Sequence, residues 1–268
     1  MKVELQSILL ALLLTVALAG AQAQSVKSPP LKEAPISSID LLQSLGAKPN
    51  WRFMALQGPG TTDPVTMDSI PGEIRLCVTR DGGATCFHGL DNILRLSSGE
   101  DDYSEPHYLL DARIVHPRPD RPLLLLQVAS QHSGDGDQRV ATVLLAYDRE
   151  RDSFTLVYEK QTGRNNNQEI RYVADGPLTG AIITAEPTED APFGFWIIVN
   201  RLGPTGGYKQ VLRYRSATRY GDGNPLAVID SEMPEILQKL NFWHPGMKLP
   251  LPAGECVKPR LIGQEFWC

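Results

Sequence analysis

The sequence predicts an all-β protein built mainly of antiparallel meanders, propeller-like or sandwich-like, with one or two short helices. Short runs rich in β-branched, aromatic and other large apolar residues recur after Trp51 at roughly 8–12 residue intervals, the rhythm of a sandwich, barrel or propeller. Nearly every gap between them holds Gly, Pro, Asn or Asp; Gly (23) and Pro (21) supply 44 of the 268 residues, above ordinary use but short of low complexity. There is also a faint internal repeat. Leu123–Glu159 and Phe193–Asp230 each read as apolar strand, Gly-containing loop, strand ending in Tyr, polar turn and apolar strand, with Tyr147 and Tyr214 in the same place 67 residues apart. A three-strand meander cannot bury both faces alone, so the copies must pack together, which favours blades over a Greek-key sandwich.

The first segment, MKVELQSILLALLLTVALAGAQAQ, has a weakly basic start at Lys2, an apolar run from Ile8 to Gly20 and the small-residue pattern Ala21-Gln22-Ala23. These are the three parts of a secretory signal. The run is 13 residues long, short of the ~20 a membrane span needs. Residues 1–23 are expected to be a signal peptide, residues 24–37, with Pro29-Pro30, a disordered leader, and residues 38–268 a single β-rich domain with a Cys-closed C-terminal tail. No later stretch is apolar for long enough to cross a membrane, so a soluble, periplasmic or secreted product with no membrane span after cleavage is expected.

Within the domain, Ser38–Gly46 reads as a short helix capped by Ser37 or Ser38 and closed by Gly46. Ile74–Val78 and Thr85–His88 read as the arms of a hairpin around Asp81-Gly82-Gly83, a strong turn signal. A strand follows between His107 and His116. Leu123–Val128 is a continuous apolar run suited to burial on both faces. Val140–Tyr147, the alternating Phe154–Tyr158, Ile170–Val173, Ala181–Thr184, Phe195–Val199, Gln210–Tyr214 and Ala227–Ile229 complete the strands. A late helix from Met233 to Asn241 is capped by Ser231, with Pro234 in its first turn and Ile236, Leu237 and Leu240 on one face.

The four cysteines are Cys77, Cys86, Cys256 and Cys268, and an even count in an exported chain implies disulfides. Of the possible pairings the local one is favoured, because a Cys77–Cys86 bridge staples the hairpin arms and Cys256–Cys268 then closes the tail. The spacing is not the C-x-x-C of a metal or redox pair.

A hydrophobic fraction of 42% and a charged fraction of 21% exclude a wholly disordered chain. The net charge of −5, which signal removal leaves unchanged, argues against nucleic acid as a partner, since that needs a basic face. His88, His107, His116, His132 and His244 show no H-E-x-x-H and no i, i+4 pair, so no metal centre is expected of them. The loops around Asp135 and Asp137, and around Asp222, look like fragments of a calcium loop. They lack its later ligands: positions five and twelve counted from Asp135 are Arg139 and Ala146, and position five from Asp222 is Leu226. They are read as turns, with calcium left open. Glu100, Asp101, Asp102 and Glu105 form a further acidic loop. G-x-S-x-G, S-x-x-K, P-loop and dinucleotide fingerprints are absent, so no catalytic residue and no cofactor is assigned.

Recognition is expected of two loops. Asn165, Asn166 and Asn167 offer donors and acceptors without charge-desolvation cost. Gly206, Gly207 and Tyr208 combine a free backbone with an amphipathic ring of the kind that anchors interfaces. Alternation places Arg213 and Arg215 on one strand face and Tyr214 on the other, an ordinary half-exposed strand. The pattern GPTGGYKQVLRY resembles β-rich periplasmic proteins of Gram-negative bacteria, some of which are inhibitors or immunity proteins that insert a loop into a cell-wall lytic enzyme. The resemblance covers Leu123 to Asp230 and implies recognition through Gly206, Gly207 and Tyr208; the chain departs from those proteins in having no cysteine for lipid anchoring near the cleavage site. A non-enzymatic binding protein is thus expected, with a periplasmic protein or cell-wall component as partner. The alternatives are an envelope polysaccharide hydrolase using an Asp/Glu pair and an envelope-assembly accessory factor.

Overall fold

Alternation along the leucine run Leu123–Leu126 decides the architecture. In the computed structural model Leu124, Leu126 and Val128 point into one core, while Leu123 and Leu125 point into another. The sheet that carries them is therefore the middle layer of three. The structure describes residues 33–65, 67–95, 103–132, 138–162, 168–188, 194–216 and 228–250, with the backbone of 260–262 and 265–267.

The first sheet is antiparallel in the order β1 (Ala34–Asp40), β2 (Arg52–Gln57), β5 (Ile74–Thr79). A short ribbon, β3 (Thr61–Thr62) with β4 (Ser69–Ile70), is inserted between β2 and β5. The second sheet is a meander of β6 (Tyr108–Arg118), β7 (Arg121–Ala129), β8 (Val140–Asp148) and β9 (Ser153–Gln161). The third repeats that plan with β10 (Glu169–Tyr172), β11 (Ile182–Pro187), β12 (Phe195–Leu202) and β13 (Tyr208–Arg215). A final two-stranded pair joins β14 (Arg260–Ile262) to β15 (Glu265–Trp267).

Three cores follow in chain order. Phe53, Ala55, Leu76 and Val78 of the first sheet meet Leu124, Leu126, Val143 and Leu145 of the second, with Leu41 and Leu45 of α1 (Leu41–Leu45) beside them. The second sheet's other face brings Val115, Leu123, Leu125 and Leu144 onto Ile182 of the third. The third sheet's far face, with Ile183, Ala185, Ile197 and Val199, is covered by α2 (Val228–Lys239) through Ile229, Met233, Ile236 and Leu237. That helical spacing makes one apolar stripe, and each such fully buried side chain contributes about 1.5–3 kcal/mol. Antiparallel meanders with two helices confirm the all-β expectation, and the four-stranded sheets run in sequential rather than Greek-key order.

Several local expectations are corrected. Ala34–Ser37, placed in the leader, belongs to β1, because Ala34 to Asp40 pairs with β2. Ser38–Asp40 is strand, and α1 is capped by Asp40, whose Oδ1 accepts the Leu42 N–H at 2.8 Å, rather than by a serine. Gly46 ends α1 in the left-handed region as expected. Thr85–His88 is not a second strand. Asp81 accepts from the Thr79 hydroxyl at 2.6 Å and the Thr85 N–H at 2.9 Å, coiling the chain into a local turn, and only Phe87 N–H reaches back to Val78 O. The Cys77–Cys86 disulfide is present across that turn, with Cα atoms 4.9 Å apart. The Cys256–Cys268 pairing lies outside the described residues.

The chain does contain two four-stranded meanders, but the expected repeat does not match them: its two copies are one strand out of register. Val228 and Ile229, the expected third strand of the second copy, open α2 instead. Tyr147 therefore sits in the third strand of its sheet and Tyr214 in the fourth strand of the other. Because α2 starts before Ser231, Pro234 lies inside the helix and cannot donate to the Asp230 carbonyl.

Candidate functional site: a groove between three turns

The β6–β7 turn, the β8–β9 turn and the β12–β13 loop line one groove of about 730 Å³. Its apolar wall is Leu45, Leu123, Ala146, Leu156 and Val157. Arg121, Arg149 and Arg151 stand around it with Asp120, Asp148 and Glu150. Asp148 and Arg151 are committed to each other at 3.7 Å. Arg121 and Arg149 are exposed and hold no ion pair among the described residues.

The β8–β9 turn is held by its own residues. Asp148 Oδ1 accepts the N–H groups of Glu150 and Arg151 at 3.0 and 3.1 Å, closing the β8–β9 turn. Asp152 ends that turn at a φ of 50°. Its carboxylate accepts from the Tyr147 hydroxyl at 2.7 Å, the Trp51 indole at 2.8 Å and Arg80 at 2.6 Å, with Lys48 3.4 Å away. The Tyr147 and Trp51 hydrogen bonds, aided by the two cations, hold the Asp152 carboxyl down at about 2. Trp51 stands edge-on to Phe154 at 5.0 Å and carries the Arg80 guanidinium over its ring at 4.9 Å. A smaller cavity of about 400 Å³ opens there between Leu42, Trp51, Met54 and Arg80.

The β12–β13 loop is tied down by Arg118, which donates to the carbonyls of Leu202 at 3.1 Å and Gly203 at 2.5 Å. Gly206 has a φ of +88°, and a Cβ there would come within 2.7 Å of the Arg121 guanidinium. The positive φ favours glycine at this point, whereas the Arg121 guanidinium, the end of a flexible exposed side chain, can move aside. Gly206 and Gly207, singled out by the sequence, are brought to the groove wall.

Tyr208, expected at the loop surface, turns inward. Its ring meets Tyr158 at 5.4 Å and its hydroxyl donates to Gly180 O at 2.8 Å. Burial raises the phenols of Tyr208 and Tyr158 and pushes Tyr172 beside them up to about 12. Tyr208 is thus half-buried against the core between the second and third sheets and does not line the groove. Asn165, Asn166 and Asn167 lie outside the described residues, as do Asp135, Asp137, Asp222 and the Glu100–Asp102 cluster; Glu105 stands 3.6 Å from Arg95. Arg213 and Tyr214 divide between faces as expected: Arg213 stacks on Trp196 at 4.0 Å, and the Tyr214 hydroxyl donates to Glu232 at 2.9 Å.

Sequence reading missed Arg121, Arg149 and Asp152. The polar turn YDRERDSF is visible as a turn, but nothing in it marks which arginine is left without a carboxylate. The histidines are dispersed. His88 pairs with Asp91 at 2.9 Å, His107 meets Pro71 O at 2.7 Å, and His132 stands edge-on to Tyr108. No group of three His, Cys, Asp or Glu side chains among the described residues could hold a metal ion. No helix among them is long and apolar enough to cross a membrane.

Glu169 is the acid whose carboxyl is raised among the described residues. Burial pushes it up to about 7, against the pull of Arg171. It is 4% exposed, accepts the Ile229 N–H at 2.9 Å and Arg171 at 2.5 Å, and lines neither cavity. Arg171 also binds Asp230 at 2.5 Å. The cluster fastens α2 to β10. No protein-family model matches the sequence, and no curated protein and no solved structure matches it.

Proposed function

We propose that the chain is an exported, non-enzymatic binding protein of the periplasm, of the inhibitor or immunity type, acting on an enzyme of the cell envelope. The observation that carries the proposal is the groove of about 730 Å³ walled by three turns, two of them braced, with Arg121 and Arg149 uncommitted at its edge and Gly206-Gly207 beside them. Braced turns present a surface at little entropic cost on binding, and guanidinium groups suit carboxylate or phosphate recognition. The Cys77–Cys86 disulfide is compatible with an oxidising compartment. A polysaccharide hydrolase would place a raised carboxyl in an open cleft, whereas Glu169 is buried beneath α2 and occupied by Arg171 and Ile229.

Immobilised full-length protein should retain one envelope protein from a periplasmic extract at micromolar concentration. The double variant Arg121→Glu/Arg149→Glu, with unchanged melting behaviour, should lose it. Equal retention by the variant, or no retained partner, refutes the proposal.

A further inference from the structure

The β3–β4 ribbon ends in Val65 and Met67, whose 87% and 73% exposure is the highest of any large apolar residue described. Single exposed apolar residues are commonplace; two on one tip, with the backbone built to hold them there, are not. Pro64 fixes its own φ. Asp63 Oδ1 accepts the Val65 N–H at 2.7 Å, and Asp63 O accepts the Met67 N–H at 2.9 Å. Asp63 N–H closes the loop on Asp68 O at 2.9 Å. Met67 is held at a φ of 62°, a region that disfavours side-chain-bearing residues. At the base, Gly58 N–H donates to Glu73 O at 2.8 Å, and Gly72 lies so close to Gly58 O that a Cβ would collide with it. Val65 and Met67 are thus anchored by turn hydrogen bonds on either side, Met67 is strained, and both side chains stand largely exposed.

We infer that this tip inserts Val65 and Met67 into an apolar pocket of a partner protein, a pocket rimmed by cationic side chains. The charge around the tip selects that occupant. From Phe53 to Ile74 the chain contains Asp63, Asp68 and Glu73 and neither Lys nor Arg. Such a tip is repelled by anionic lipid, which recruits basic segments, and is complementary to a pocket edged by Lys or Arg. Pre-organisation lowers the ordering cost of the insertion. The inference rests on the proposed binding function and names the element that engages the partner.

The test places benzoylphenylalanine separately at positions 65, 67 and 205 of the full-length protein, with photocrosslinking in the periplasm. Positions 65 and 67 should join the chain to one envelope protein, through a peptide lining an apolar pocket bordered by Lys or Arg. Val65→Ser/Met67→Ser should then bind that purified protein roughly tenfold or more weakly with an unchanged melting temperature. Crosslinks from position 205 alone, with the serine variant binding as tightly as wild type, overturn the tip and leave the groove proposal standing. Crosslinks from none of the three overturn both. Crosslinks between two copies, or flotation with phosphatidylglycerol–phosphatidylethanolamine vesicles without protein capture, also overturn the inference.

Discussion

Replacing Glu169 by Gln should change how stability depends on pH, and in a direction opposite to that of most carboxylates. Glu169 is 4% exposed, and burial raises its carboxyl from 4.5 to about 7 despite Arg171 and the Ile229 N–H. Between those values the folded chain keeps a proton that the unfolded chain has released. The folded state then binds more protons, so stability falls as pH rises through this window and is level on either side. Each tenfold difference in proton affinity between the folded and unfolded chain corresponds to about 1.4 kcal/mol, so the loss across the window comes to about 3 kcal/mol at most. Gln cannot ionise. It loses one acceptor toward Arg171 or Ile229, a deficit that does not vary with pH. Urea unfolding of both proteins, followed by tryptophan fluorescence at pH 4.5, 5.5, 6.5 and 7.5, isolates the effect, because every other titrating group cancels in the difference. The stability difference between wild type and Glu169→Gln should move by about 2–3 kcal/mol in the variant's favour as pH rises. A constant difference, or one moving the other way, would mean that Arg171 and the start of α2 keep Glu169 ionised throughout, and would refute the reasoning.

Leu126→Ala, at a fully buried position of the middle sheet, should cost about 2–5 kcal/mol in chemical denaturation, and a loss below about 1 kcal/mol would contradict its packing between the first and second sheets. Cys77→Ser/Cys86→Ser should lose about 2–3 kcal/mol, the chain-entropy value for so short a loop, and reduction of the wild type should match it. Gly206→Ala should cost about 1–2 kcal/mol through its positive φ, and because the exposed Arg121 guanidinium can swing away, Arg121→Ala should recover little of that in a double-mutant cycle. Asp152→Asn should be less stable than wild type at neutral pH. Its folded carboxyl is depressed to about 2, so the advantage of Asp152 is complete above its ordinary 3.8 and disappears as pH falls toward 2; an acid titration in which the two curves never converge would contradict this.

Much of the fold was legible because strand signals are local. The leucine run announced a doubly buried strand, and it is one. Seven expected strands from Leu123 to Tyr214 recur with ends shifted by a few residues. The errors have physical causes. Val228-Ile229 is β-branched and reads as strand by propensity, but it opens a helix whose N-terminal N–H is taken by a buried carboxylate 60 residues earlier. Ala34–Ser37 looks mobile by its Pro and Ser content, which ignores β2, the strand that gives it a ladder to join.

The site was less legible. Gly206 and Gly207 are marked by turn chemistry alone and do reach the groove. Tyr208 reads as surface because a tyrosine after two glycines carries no sign of Tyr158 and Gly180, the partners that draw it inward. By itself the sequence determined what depends on neighbours along the chain: the β class, the turn positions, the local Cys77–Cys86 bridge and the alternation of faces. Only the tertiary structure decided which faces meet, which arginines find carboxylates and which are left at the groove, and that Asp152 gathers Trp51, Tyr147 and Arg80. These depend on distances between residues up to about a hundred positions apart, which strand periodicity does not encode.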